Sequence, residues 1–321
     1  MVATYKVTCF HLQIITMDHH KQAVQDNLEQ FNSLGEQYEN LPGGRAFAYL
    51  IAKAVLELDP LAARNNSTNS PKTVGNPDAE DGGFNEGILP SVKNFNANFP
   101  NCPIKPGATI LDFACGPGIL DRIFVPYLEA ENKASKIVGV DINEGFLNRF
   151  KSQLDVITED SSVSTKIVKA DILSDEAEAD IRPLESSADV IVCSLAYHHF
   201  HDFGAMTKKL ASFIKPGGWL YIVDFYREIA GAEVLKDFKG VRHSVISPES
   251  LNEALEFGGL EKNSSAVELS TKAWVPQKFV ANLPVDAEKL EAGEMRTGTH
   301  NGVEACVVEW KIMVAIGRRP E

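Results

Sequence analysis

The stretch Thr109-Ile110-Leu111-Asp112-Phe113-Ala114-Cys115-Gly116-Pro117-Gly118 limits what this chain can fold into more than any other. Thr109 to Phe113 are β-branched or apolar except at Asp112, the pattern of a short strand covered on both faces. Gly116 and Gly118 allow a tight turn in which backbone comes close to a ligand. A helix from about Ile119 would aim its free N–H groups at that ligand.

Two common glycine-turn folds fit poorly. A dinucleotide fold needs a glycine three residues after Gly118, and that residue is Asp121; no Gly-Lys-Ser/Thr of a P-loop is present. Instead Asp112 precedes the turn, Asp141 ends the apolar run Lys136–Val140, and Asp171 ends Lys166–Ala170. The chain thus shows strand–Asp three times with helix-length segments between. The periodicity predicts strand 109–113, helix 119–129 bent or ended by Pro126, strand 136–140, helix 143–154, strand 165–170, strand 190–194, helix 203–214 and strand 219–225. Strands alternating with helices imply a parallel, doubly wound sheet. Lys215-Pro216-Gly217-Gly218 reads as a sharp turn, Pro248 as a helix start that runs to Gly258-Gly259, and 265–269 and 305–316 as two further strands.

Upstream, Val24, Leu28, Phe31, Leu34 and Tyr38 give residues 18–40 one apolar helical face, and Phe47 to Leu58 form a second such helix. Residues 64–83 are rich in Asn, Ser, Thr, Pro and Gly and read as a flexible polar loop. Ile88, Val92, Phe95 and Phe99 suggest one more short helix. The division expected is an N-terminal helical extension over 1–103, placed as a cap, and a main domain over 104–321 with an insertion around 271–303.

A formal net charge of −13 argues against a nucleic-acid partner, which needs clustered Lys and Arg. No stretch reaches membrane-span length, and 7–16 lacks the marks of a signal peptide, so a cytoplasmic chain is expected; Met17 is a possible alternative start. The five cysteines, Cys9, Cys102, Cys115, Cys193 and Cys306, form no Cys-x-x-Cys pair, and free thiols without a metal are the plain reading. Monomer and homodimer cannot be told apart.

Asp-x-x-x-Gly-x-Gly with the two later acids resembles the class I S-adenosylmethionine (SAM) methyltransferases. His198-His199-Phe200-His201-Asp202 after the fourth strand adds a likeness to the small-molecule, ubiquinone-biosynthesis type. Pro117 between the glycines and the long polar segment before the first strand depart from the minimal domain. The resemblance implies an α/β, Rossmann-like, doubly wound sheet of seven strands, mostly parallel, with an antiparallel last strand at the edge. It implies SAM as cofactor, S-adenosylhomocysteine (SAH) as product, no metal, and a small-molecule acceptor.

By that resemblance Asp141 would accept both ribose hydroxyls, and Asp171 the adenine amino group between Ile142 and Ile172. Asp112, Ala114, Cys115, Gly116 and Gly118 would hold the methionine end, bordered by Ser194 and Leu195, with Tyr38 shielding the cofactor. Any one of these Asp residues would serve equally as a helix N-cap; the set of three with the glycines favours a ligand. His198 or His199 would act as general base, or the pair would cap the next helix and pack on the cofactor. Acceptor contacts would come from Tyr197, Tyr226, Arg227, His243 and Trp274. The rivals are a protein methyltransferase and a SAM-binding regulator without catalysis.

Overall fold

In the computed structural model the described residues are 19–61, 72–73, 86–226, 246–262, 267–280, 284–300 and 302–321. Cys9, Arg227, His243 and most of the 64–83 loop lie outside them. The strands are β1 Lys72–Thr73, β2 Thr109–Phe113, β3 Ser135–Asp141, β4 Val163–Lys169, β5 Ala188–Ser194, β6 Ile214–Tyr226, β7 Glu261–Lys262, β8 Val267–Pro276, β9 Thr297–His300 and β10 Val303–Arg318. The main helices are α1 over residues 19–34, α2 Gly44–Glu57, α3 Ile119–Leu128, α4 Glu144–Thr158, α5 Phe203–Phe213 and α6 Pro248–Phe257.

The sheet runs β1-β8-β10-β6-β5-β2-β3-β4, with β7 and β9 also paired to β10. Strands β4, β3, β2, β5 and β6 are parallel, and β10 is antiparallel to β6. These six form the doubly wound core, and the described residues hold ten strands in all, so the expected count of seven is corrected. The last strand is not at the edge either, because β8 pairs along its outer side. The order reverses between β2 and β5, so the crevice outside the carboxyl ends of these two strands is the natural ligand site.

Successive residues of each strand feed opposite faces. Ile110, Ile137, Val192 and Tyr221 pack with Leu50, Val55, Phe124 and Phe150 of α2, α3 and α4. Leu111, Val138, Ile191 and Ile222 pack with Leu210, Phe213, Leu251 and Leu255 of α5 and α6. Each such side chain contributes about 1.5–3 kcal/mol on burial. Helix starts follow local chemistry: Asn143 accepts from Phe146 N–H at 3.0 Å, Asp202 from Ala205 N–H at 2.9 Å, and Ser247 forms a capping box with Ser250.

Other sequence expectations shift. The first helix ends at residue 34; Gly35 has φ +48° and Gly35–Asn40 continue as a 3-10 helix. Residues 215–218, expected as a turn, lie within β6: Ala188 pairs with Ile214 and Val190 with Trp219, so they bulge from the ladder. Within the 64–83 loop, β1 pairs parallel with β8. Pro126 stays inside α3, two residues before its end.

Candidate active site

A cavity of about 120 Å³ sits at the carboxyl ends of β2, β3, β4 and β5. Ala114, Gly116, Asp141, Ile142, Asp171, Ile172, Ser194 and Leu195 line its floor; Tyr38 and His199 line its walls. Ten expected residues thus converge from segments far apart in sequence. Helix α1 crosses the cavity, presenting His20, Ala23, Val24, Asn27, Leu28 and Phe31.

The backbone is bent at the points where it meets the cavity. Ala114 and Leu195, neither a glycine, have φ +58° and +50°. A Cβ built on Gly116 would meet nothing within 4 Å, so the cradle is open toward the cavity. Gly118 serves differently: at φ +80° its added Cβ would stand 2.8 Å from Phe150, so glycine lets α4 pack against the turn.

None of the three acids caps a helix: Gly118, Asn143 and Ser174 stand at the cap positions that follow them. Asp141 is buried, and its oxygens accept from Gly116 N–H at 2.9 Å and Asn143 N–H at 2.8 Å. Each carboxylate oxygen keeps a second lone pair for a ligand hydroxyl. Burial pushes the Asp141 carboxyl up to about 6, against the opposing pull of those N–H groups. Burial, then the Asp141 charge, pushes Tyr38 up to about 12, which keeps it a neutral phenol. Asp171 accepts from Leu173 N–H at 3.2 Å and contacts His20 Nε2 at 2.8 and 2.9 Å.

Asp112 does not line the cavity. It lies beneath the turn beside Asp121 of α3, both fully enclosed. Burial, then the Asp121 charge, pushes Asp112 well up, and burial pushes Asp121 to about 6. Asp112 Oδ1 and both Asp121 oxygens have no donor among the described residues. Burial favours the protonated form of both carboxyls. Cys115 turns its thiol to the Gly116 carbonyl at 3.5 Å, beside Gly139, and is not in the cavity lining.

The adjacent histidines part company. His199 is buried in the cavity wall, its ring 5.4 Å from Phe31. His198 is outside the wall, with Nδ1 2.7 Å from Asp224 Oδ1 at the end of β6. Neither caps α5, since Asp202 does so.

The expected acceptor contacts fare less well. Tyr197 is wholly buried with its hydroxyl 2.9 Å from Thr207 Oγ1, a core position that no acceptor reaches. Trp274 is buried in β8, its ring tilted against His300 at 4.1 Å and covered by Arg296, outside the cavity lining. Tyr226 is half-buried at the end of β6, its ring 5.9 Å from Lys311 Nζ. Sequence reasoning passed over His20, Asn27, Phe31, Phe146, Phe200 and Met206 in the lining and Asp121 and Asp224 behind it. Only Asp224 carried a local signal, as an acid ending a predicted strand.

The residues present fit a SAM molecule: an open glycine turn and two carboxylates, Asp141 and Asp171, border one largely apolar cavity. Fold and site together define an α/β methyltransferase. A methyltransferase-domain family model matches residues 89–265, more than half of the chain, and the chain belongs to that family of SAM-dependent enzymes. An uncharacterized methyltransferase of Schizosaccharomyces pombe is 25% identical over 309 residues, covering 92% of this chain and 98% of the relative. A ubiquinone biosynthesis O-methyltransferase of Coxiella burnetii is 29% identical over 165 residues, which is 48% of this chain and 64% of that protein. Among solved structures, the YcgJ protein of Bacillus subtilis matches with a TM-score of 0.47 at 17% identity, over 68% of this chain and 94% of its own. No helix among the described residues is long and apolar enough to cross a membrane.

Proposed function

We propose that this chain methylates a small-molecule acceptor. The observation that carries the reading is the convergence of Asp141, Asp171 and the open Gly116 turn on one cavity, with His199 in its wall. The likeness to ubiquinone biosynthesis O-methyltransferases supports a small acceptor.

When bound, SAM supplies a methyl already activated on a sulfonium, so the chain's task is alignment and exclusion of water. Asp141 holds the ribose diol and, through Gly116 N–H, the turn that cradles the methionine end. Asp171 accepts from the adenine amino group, with Ile142 and Ile172 against the ring. Ser194 and Leu195 border the methionine end, where the bent backbone at Leu195 directs the chain outward. Helix α1 acts as a lid: Val24, Leu28 and Phe31 keep water out, and the bonds that tie it to the domain include Asn32 with Asn143 at 3.0 Å and His20 with Asp171. His20 reaches the acid assigned to adenine from the side of the lid and ties α1 down over it.

Calorimetric titration with SAM, SAH and NAD tests the reading. Binding of the two sulfur ligands and not NAD is expected. Failure to bind either, with the protein folded, would refute the cofactor assignment.

A further inference from the structure

A second cavity, of about 770 Å³, opens beside the glycine turn. Helices α2 and α3, the 3-10 helix Gly35–Asn40 and residues 89–92 bound it. Among the described residues it shares no lining side chain with the cofactor cavity, although Tyr38 of that cavity is followed directly by Glu39 of this one. Its size is that of a small-molecule site, about 300–1,000 Å³. The walls are fixed in place. Tyr49 and Tyr127 are buried, and the Tyr127 hydroxyl donates to the Pro90 carbonyl at 2.7 Å, which ties residues 89–92 to α3. Leu89, Ile119 and Ile123 are half-buried and supply apolar surface. The charges are mainly positive. Among the described residues the Arg122 guanidinium has one acceptor, Glu39 Oε2, at 3.5 Å, longer than the roughly 2.7–2.9 Å of a well-formed charge-assisted bond. Glu39 does not depend on it, because Gln153 Nε2 donates to Glu39 at 2.8 and 3.1 Å and Arg149 Nη1 at 3.4 Å. Arg122 therefore keeps most of its donors for another partner, and its side chain is 35% exposed. Arg45 lies over the Tyr49 ring at 5.6 Å, its Nη2 3.5 Å from the Tyr49 hydroxyl, which sets the direction of its fork. Two arginines and one engaged carboxylate thus line a cavity in a chain of formal net charge −13, a local reversal of sign.

We propose that this cavity is a second ligand site, for an amphiphilic monocarboxylate. The carboxylate sits on the Arg122 fork with Arg45 adding positive charge, and the apolar body lies along Leu89, Ile119 and Ile123. An arginine fork matches the two oxygens of a carboxylate. Glu39 offsets one of the two positive charges in the lining, so one negative charge restores the balance, and a phosphate dianion exceeds it. An uncharged lipid leaves the Arg122 donors without an acceptor. Because the two cavities have separate linings, the acid and the cofactor bind together, and occupation of this site does not depend on what fills the other.

The test is calorimetric titration of the full chain with decanoate at pH 7.5, where the acid is ionised. One saturable site with Kd below about 1 mM is expected, unchanged within about twofold by excess SAH. Arg122→Gln should weaken it at least about tenfold, the loss of a hydrogen bond to a charged group. Ile123→Glu, which sets a like charge in the cavity wall, should abolish it. Decanol, with the same tail and no charge, and decyl phosphate, mostly a dianion, should each bind more weakly than decanoate. Thermal melts establish that the variants fold; if Arg122→Gln does not, Ile123→Glu and the decanol comparison decide. The absence of saturable decanoate binding overturns the proposal, as does undiminished binding by either folded variant. Decanol or decyl phosphate binding as tightly as decanoate, or displacement of decanoate by SAH, also overturns it. A protein that binds decanoate and not SAH would fail the cofactor reading and keep this one.

Discussion

Replacing Asp141 with alanine tests the site most directly. Its carboxylate holds Gly116 N–H at 2.9 Å and Asn143 N–H at 2.8 Å, and is assigned two ribose hydroxyls. Hydrogen bonds to a charged group contribute about 1.5–3 kcal/mol each. Two at the lower bound give about 3 kcal/mol, or about 150-fold in Kd for SAH. The ionised carboxylate is the better acceptor, and its pKa of about 6 places a titration inside an accessible window. SAH affinity should therefore be level above about pH 7 and fall up to tenfold per pH unit below 6. The same carboxyl acts oppositely on the free protein. Its folded pKa of about 6 exceeds the ordinary value of 3.8, so the folded state holds the extra proton, and stability falls as pH rises through that window. A separation of about two pH units corresponds to roughly 3 kcal/mol, read as the difference between the unmutated chain and Asp141→Asn in melts at pH 4 and 7. Calorimetric titration of both proteins with SAH from pH 5 to 8 supplies the binding data. An alanine variant within threefold of the unmutated chain, or an affinity flat across that range, would refute the reasoning.

Other expectations follow from single contacts. His20→Ala removes the bond from α1 to Asp171, and SAH dissociation in stopped flow should quicken about fivefold, the equivalent of about 1 kcal/mol; an unchanged rate would mean α1 is no lid. Gly139→Ala should cost about 1–3 kcal/mol in denaturant melts, since the new Cβ would stand 2.7 Å from Phe150 and 2.9 Å from Cys115 Sγ, and Phe150→Leu should restore part of it. Asp121→Asn should raise the melting temperature at pH 8 and not at pH 5, because burial pushes Asp121 to about 6 and its ionisation above that pH opposes folding. Ser247→Ala should cost about 1 kcal/mol by removing the capping box of α6, without changing SAH affinity.

The parallel strands, their helices and the three acids at strand ends were legible in the residue order, because a buried strand, a glycine turn and a helix cap each leave a local pattern. Gly116, Asp141 and Asp171 meet in one cavity because the doubly wound fold brings carboxyl ends of neighbouring strands together, a rule that needs no coordinates. The tail was less legible: β10 carries a strand's composition, but its pairing with β6 on one side and β8 on the other depends on distant residues. Tyr197 shows the same limit. Next to two histidines of the site, it nevertheless points into the core toward Thr207, since a one-residue step in a tight turn reverses direction. The different surroundings of His198 and His199, and the partnership of His198 with Asp224 across 26 residues, were decided by tertiary packing alone. So was the reach of His20 to Asp171 across 151 residues. Local sequence carries backbone conformation and the chemical type of each side chain, whereas which side chain meets which is decided when the sheet closes and the helices pack on it.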